Sequence, residues 1–205
     1  MYTPPAFAVD ELAWTLELIG AYPFGLLMTL SNAAPQITHL PMLAETRDDG
    51  LWLLGHVARA NPHAAVILDG APATAVFQGA HAYVSAGWYE EPYQTVPTWD
   101  YEAVHCDGRL QEGDAYRTLA LLTAKFEAGR TDPWMMERLD VGYLENQLRG
   151  IVAFEMRVDA LRAKAKLSQN RTRADRDRVA AALEASPFEL ERACGAAVKR
   201  ASNAR

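Results

Sequence analysis

At 205 residues and 22.6 kDa, the chain is long enough to bury a real hydrophobic core and short for two full domains. With 50% hydrophobic and 22% charged residues, it is too apolar for a disordered protein. No apolar run approaches the roughly 20 residues of a membrane span. The opening MYTPPAFAVDE has no basic start followed by an apolar stretch, so neither membrane insertion nor secretion is expected. The two cysteines, Cys106 and Cys194, stand far apart among apolar neighbours, the pattern of reduced thiols in a cytoplasmic protein rather than of a disulfide framework.

The formal net charge of −6 argues against a surface that grips nucleic acid everywhere. Its distribution is uneven. Residues 1–156 carry 8 Lys+Arg against 20 Asp+Glu, net −12, and residues 157–205 carry 12 against 6, net +6. An acidic body therefore bears a basic tail, suited to phosphate, to DNA or to the acidic body of a partner subunit, or simply to a solvated helical face.

Asp10 caps a first predicted helix, with Leu12, Leu16 and Ile19 at helical spacing and Tyr22-Pro23 as its stop. The period then changes to two: Phe24, Leu26, Met28 and Leu30 alternate with smaller residues, and after a turn at Asn32–Pro35 a second run covers 36–43, a hairpin in outline. Further strands are predicted at 51–55, 73–77, 81–85, 103–110 and 150–158. Asn61-Pro62 opens a short helix over 64–68, and 114–128 forms a longer one with Tyr116, Leu119, Ala120, Thr123 and Phe126 on one stripe. Two last helices span 175–185 and 187–200, the second opened by the capping box Ser186-Pro187-Phe188-Glu189. Many short strands with few long helices between them predict a mainly β fold, an antiparallel barrel with helical additions. Its expected organisation is a barrel domain with inserted helices over 1–160 and a basic loop and helical tail, packed on the barrel, over 161–205.

Three segments hold residues able to do chemistry. In His56-Val57-Ala58-Arg59-Ala60-Asn61-Pro62, a strand feeds a capped helix and Arg59 adds a fork of donors, suited to a phosphate or to an acidic neighbour. Lys164-Ala165-Lys166-Leu167-Ser168-Gln169-Asn170-Arg171 puts two lysines, a hydroxyl, two amides and an arginine before a helix, a set that fits the polar edge and phosphate of a planar heterocycle or a plain polar loop. Between them lie His81, Tyr83, Trp88, Tyr89, Tyr93, Trp99 and Tyr101, rings with polar tips that serve a stacking surface, an interface or simple packing. The five histidines form no HExxH or His/Cys ligand pattern, and neither Gly-x-Ser-x-Gly nor a Walker loop is present, so metal and hydrolase chemistry are not expected.

Taken in order, Thr38-His39-Leu40-Pro41, Gly55 to Pro62 (GHVARANP), Val76-Phe77-Gln78-Gly79, His81-Ala82-Tyr83-Val84-Ser85, Trp88-Tyr89, Val96-Pro97-Thr98-Trp99, Tyr101-Glu102-Ala103-Val104 and the KAKLSQNR block resemble the successive signature blocks of the PaiB-type family of FMN-binding negative transcriptional regulators. The resemblance runs from Met1-Tyr2 to about Leu183. It implies a split β-barrel of the flavin-reductase and pyridoxamine-phosphate-oxidase kind, a homodimer, and FMN as cofactor. Carried over by motif, it assigns Arg59, Lys166 and Ser168 to the phosphate, Thr38, His39, Gln169 and Asn170 to the polar rim, and Tyr83, Trp88 and Trp99 to ring contacts. Three positions depart from the family pattern: Ala80 and Ala86 replace prolines, and Asp100 replaces asparagine. The two alanines loosen the turn that aims Tyr83 and Trp88, while a carboxylate near a dianionic phosphate is expected to weaken binding.

Two functions of different class follow. One is a flavin-binding regulator whose contact with DNA is weak or indirect, since no helix-turn-helix signature is present and only Arg171, Arg173, Arg176 and Arg178 are placed to meet phosphates. The other is an FMN-dependent oxidoreductase acting on a small molecule, by analogy of fold. A haem-binding split barrel is a third reading.

Overall fold

The computed structural model describes residues 1–31 and 34–203. After a 3-10 turn at Pro5–Phe7 come β1 (Ala8–Val9), α1 (Leu12–Ala21), β2 (Phe24–Ser31), β3 (Ala34–Pro41), β4 (Leu43–Arg47), β5 (Gly50–Ala58), α2 (His63–Leu68) and β6 (Pro72–Val84). Two 3-10 turns, Ala86–Trp88 and Pro92–Gln94, lead to β7 (Thr98–Glu112), α3 (Ala115–Glu127), α4 (Val141–Arg149), β8 (Ile151–Lys166), α5 (Arg173–Glu184) and α6 (Glu189–Asn203). The strands follow the order β3-β2-β6-β7-β8-β5-β4, with β1 added beside β8. Every pairing with a defined register is antiparallel: β2 with β3 and β6, β5 with β4 and β8, and β1 with β8. No helix among the described residues is long and apolar enough to cross a membrane.

The chain divides into two compact units. The first comprises Met1–Leu18, Gln78–His105 and Arg162–Arg205; the second comprises Ile19–Phe77 and Cys106–Leu161. In the second, Leu27, Met42, Leu53, Leu54, Ile67, Phe77, Phe154 and Met156 are shut away from solvent as the core. Arg47 binds Glu155 through two nitrogens at 2.8 and 2.9 Å while Arg117 bridges Glu155 and Glu45, so β4, β8 and α3 are laced by one ion-pair network. The paired Arg47 holds the Glu155 carboxyl below the usual carboxylate range. In the first unit, Val84, Val104, Leu167, Val179, Leu183, Cys194 and Val198 form the core. There α5 and α6 cross at Gly195, where a Cβ would come within 2.9 Å of the Glu184 amide nitrogen and of Leu183 Cβ.

The structure lengthens several predicted strands. The runs at 73–77 and 81–85 are one 13-residue strand, β6. Gly79 is a point of close approach rather than a break, since a Cβ there would sit 3.0 Å from Glu102 Cβ and 3.1 Å from Leu18 Cδ1. β7 starts at Thr98 and β8 ends at Lys166, so Thr98–Glu102 and 159–166 are strand where polar residues hid the alternation. The predicted run 36–43 divides at buried Met42, whose N–H donates to Pro23 O at 2.9 Å. Asn32 and Ala33 of the predicted turn lie outside the described residues. Helix α4, capped by Asp140 accepting from the Tyr143 N–H at 3.0 Å, was not anticipated. The Ser186 cap accepts from Phe188 N–H and donates to Glu191, two residues beyond the Glu189 of the expected box.

Candidate functional site

In the first unit, β6, β7 and β8 lie side by side, and alternation along each strand sorts its side chains. Ala82, Val84, Asp100 and Glu102 are buried, while His81, Tyr83, Trp99 and Tyr101 take the alternate positions and are exposed or half-buried. Trp99 is 55% and Tyr83 45% exposed. They meet edge to face with ring centres 6.4 Å apart, and the ring of His81, on the same strand as Tyr83, lies 6.1 Å from Trp99. Trp88, half-buried on its 3-10 turn, joins none of the ring pairs among the described residues. That turn is closed without proline at position 86 by the Ser85 hydroxyl, which accepts from the Gly87 N–H.

The lysines of β8 complete this face. Lys164 Nζ sits 5.0 Å from the Tyr101 ring centre and 5.8 Å from that of Tyr2, and donates to Tyr2 O at 3.1 Å. Two cation–π contacts thus offset the burial of its charge. Lys166 Nζ donates to Thr98 Oγ1 at 2.7 Å and to Trp99 O at 2.5 Å, and lies 3.5 Å from Asp100 Oδ1. Beyond the strand, Gln169 folds its amide back on the chain, accepting from Leu167 N–H and donating to Ala165 O, both at 2.6 Å. Asn170 is exposed. Ser168 adopts φ 60°, the left-handed region that costs a residue with a Cβ about 1–2 kcal/mol, and its buried hydroxyl donates to Asp100 Oδ2 at 2.6 Å.

Asp100 is therefore no surface charge but the buried hub of this corner, with no solvent exposure. Desolvation pushes its carboxyl up, against the opposing pull of Ser168 and Lys166. Glu102, two residues on, is also raised by burial. The Cys194 thiol, 3.8 Å from Asp100 O, is pushed up to about 12 by burial and the two carboxylates. The sequence marks Asp100 as a departure from asparagine and Glu102 within a signature block, but only the strand alternation beginning at Thr98 reveals that both point inward.

Thr38, His39 and Arg59 belong to the second unit. Thr38 Oγ1 lies 2.8 Å from His63 Nδ1, and Thr29 Oγ1 lies 2.9 Å from His63 Nε2. His63 is 1% exposed and burial lowers its pKa, so a neutral imidazole is held between two hydroxyls. Asn61 Oδ1 accepts from the His63 N–H at 2.9 Å, the capping role its sequence context suggested. His39 is exposed and stacks on Phe24 at 6.3 Å. Arg59 donates through Nε and Nη2 to the carbonyls of Arg149 and Ile151 at 2.7 and 2.8 Å. Both partners are neutral, and none of the ion pairs among the described residues includes Arg59, so its charge is oriented by the backbone but not cancelled.

A sheet of this order defines a split barrel, mainly β with helical additions and a C-terminal helical tail. Solved structures share the fold, two of them flavoproteins by their descriptions. The FAD and haem binding protein from Mycobacterium smegmatis superposes with TM-score 0.58 at 14% identity, covering 78% of this chain and 73% of that one. The flavocytochrome Anf3 from Azotobacter vinelandii gives 0.57 at 13%, covering 80% and 69%. Residues 1–160 match the family model described as "Putative FMN-binding domain". The protease synthase and sporulation protein PAI 2 of Bacillus subtilis (strain 168) is 34% identical over 178 residues, 85% of each chain. The chain belongs to the PaiB-type family of FMN-binding split-barrel proteins, and FMN is the cofactor that membership assigns to it.

Proposed function

We propose that this protein holds FMN on the outward face of β6–β8, with the isoalloxazine against Trp99 and Tyr83 and the phosphate at Lys166. One observation carries the reading: two large exposed rings stand edge to face beside a lysine whose ammonium already sits at the end of the same strands. The donor set fits a flat apolar ring with a polar edge and an anionic tail. Asn170, exposed at the loop, meets the polar edge, whereas Ser168 and Gln169 act by fixing the loop through bonds already made. Bound FMN supplies hydride or single-electron transfer at its ring. The chain itself binds and orients, and His81 beside Trp99 can hold a proton there. Arg59 is a second, independent cation for an anionic group, carried by its uncancelled charge.

The reading extends to a cytoplasmic homodimer whose effect on transcription runs through a ligand or protein partner. The tail arginines support this, because most are already engaged. Arg171 lies over the Tyr89 ring at 4.5 Å, Arg173 pairs with Asp177 and Arg178 with Glu90. The test is an absorption spectrum of freshly purified protein followed by flavin titrations. Flavin bands rather than a haem band are expected, with FMN bound more tightly than riboflavin, and Lys166→Ala should weaken FMN by about 1.5–3 kcal/mol, the worth of a charged hydrogen bond. Equal affinity for riboflavin and FMN sinks the phosphate assignment.

A further inference from the structure

We propose that Asp100 is a positioning residue of the phosphate-holding loop, and that it takes up a proton when an anionic ligand draws the Lys166 ammonium away from it. The inference rests on the reading of Lys166 as the phosphate contact. An ammonium has three donor hydrogens. Lys166 directs two at Thr98 Oγ1 and Trp99 O, at 2.7 and 2.5 Å, and the third side faces Asp100 Oδ1 at 3.5 Å. A phosphate oxygen must displace one of the three. The longest contact, well beyond the 2.7–2.9 Å of a good charged hydrogen bond, is the one that gives way.

Once Lys166 turns to the ligand, Asp100 keeps only the Ser168 hydroxyl on Oδ2, and Oδ1, which already lacks a hydrogen bond, is left without a counter-charge. Lys166 is the cation that acts on this carboxyl; the neutral Ser168 faces it from the loop, the Cys194 thiol of α6 lies 3.8 Å from Asp100 O with Glu102 and Glu191 near that thiol, and the nearby Arg200 of α6 acts on Glu102. A buried carboxylate with no cation and further acids around it is neutralised most cheaply by a proton, and Oδ1 is the oxygen that accepts it. The bond from Ser168 to Oδ2 survives this change. The left-handed turn at Ser168 therefore stays pinned while the charge of the corner is reset, which lets a chain with Asp at this position hold a dianion.

The sign follows from linkage. Between the carboxyl's value in the free protein and its higher value with Lys166 withdrawn, each FMN brings in one proton, so affinity falls as pH rises through that window. The experiment is calorimetric titration of the full-length protein with FMN at a series of pH values from about 7.5 upward, where a phosphate monoester is largely dianionic, in two buffers of different ionisation enthalpy at each. Wild type should take up protons with FMN, approaching one per FMN at the pH values inside the window and fewer on either side. Asp100→Asn keeps an oxygen for Ser168 but cannot titrate, so it should take up none, and its FMN affinity relative to wild type should grow about tenfold for each pH unit climbed within the window and level off above it. Riboflavin should move no proton in either protein. FMN binding that depends on Lys166 but brings equal proton uptake in both proteins, or none in wild type, overturns this proposal alone. FMN binding that is indifferent to Lys166→Ala overturns the site reading and the proposal with it. If Asp100→Asn fails to fold, the infrared difference spectrum of wild type on adding FMN decides: a new protonated-carboxyl band is expected, and its absence refutes the proposal.

Discussion

At the scale of single residues, the protein spends its polar groups on holding geometry. Asp100 is the clearest case. Its carboxyl is raised by burial, so at pH values above the ordinary carboxylate range the folded state carries a charge that the unfolded state carries more cheaply. The folded protein binds the proton more tightly, stability falls as pH rises through the raised value, and below the unfolded value the penalty is gone. Asp100→Asn should therefore raise the melting temperature at neutral pH, with the gain shrinking toward zero in acid. A variant equally or less stable at every pH would show that the Lys166 pairing outweighs desolvation. His63 offers a second test. Thr38→Val removes the partner of Nδ1 while nearly preserving shape, and leaving a buried ring nitrogen unpaired costs about 1–3 kcal/mol. Denaturant midpoints should show that loss, and an unchanged midpoint would mean the ring finds another partner.

At the scale of elements, close backbone approach decides where strands run. Gly108 in β7 faces β8 so closely that a Cβ would lie 2.0 Å from Arg157 O and 2.9 Å from Met156 Cγ. A backbone oxygen cannot swing aside as a side chain can. Gly108→Ala should therefore cost at least about 3 kcal/mol, the upper end of overpacking penalties, seen as a loss of soluble protein or a depressed melting temperature. Gly129, with φ +82° and no atom within 4 Å of an added Cβ, is the control for this argument. Substitution there meets only backbone strain of about 1 kcal/mol. The contrast separates glycines needed for space from those needed for conformation.

At the scale of the whole molecule, the β2–β3 hairpin carries Phe24, Leu30 and Ile37 at 66%, 75% and 51% exposure. Leu51, Trp52, Leu53 and Leu54, also apolar in sequence, are buried. The hairpin is thus the apolar stretch that remains exposed, and the cost of leaving it wet leads to the expectation that a second copy covers it. Light scattering should give twice the 22.6 kDa chain mass, and Leu30→Glu combined with Ile37→Glu should return the monomer. A wild-type monomer at micromolar concentration would dismiss the dimer. The charge distribution leads to a further expectation. Because the tail arginines are largely engaged with Tyr89, Asp177 and Glu90, duplex DNA should bind weakly and without sequence preference. The slope of log K against log salt should be no steeper than roughly −3 to −4. Nanomolar, sequence-selective binding in about 150 mM salt would make direct DNA regulation the better account.

The one-dimensional pattern determined what depends on neighbours in sequence. Leu12, Leu16 and Ile19 at helical spacing, the alternation from Phe24 to Leu30, and the Asn61 and Ser186 caps each report a local backbone preference. Those features suffice for a mainly β chain with helical additions, and the ordered motif blocks suffice for its family. Tertiary structure decided the rest. Polar residues at 98–102 and 159–166 hid strands whose alternation is set by a neighbouring sheet partner rather than by hydrophobicity. Ser168 and Gln169, read as ligand contacts from their chemistry, turn out to spend their hydrogen bonds on Asp100 and on the backbone. Arg59 keeps its charge because neutral carbonyls from residues some ninety positions away, and not an acid, receive its donors. Side-chain chemistry is written in the sequence, but which partner uses it depends on distances between residues far apart in the chain, and only packing supplies those.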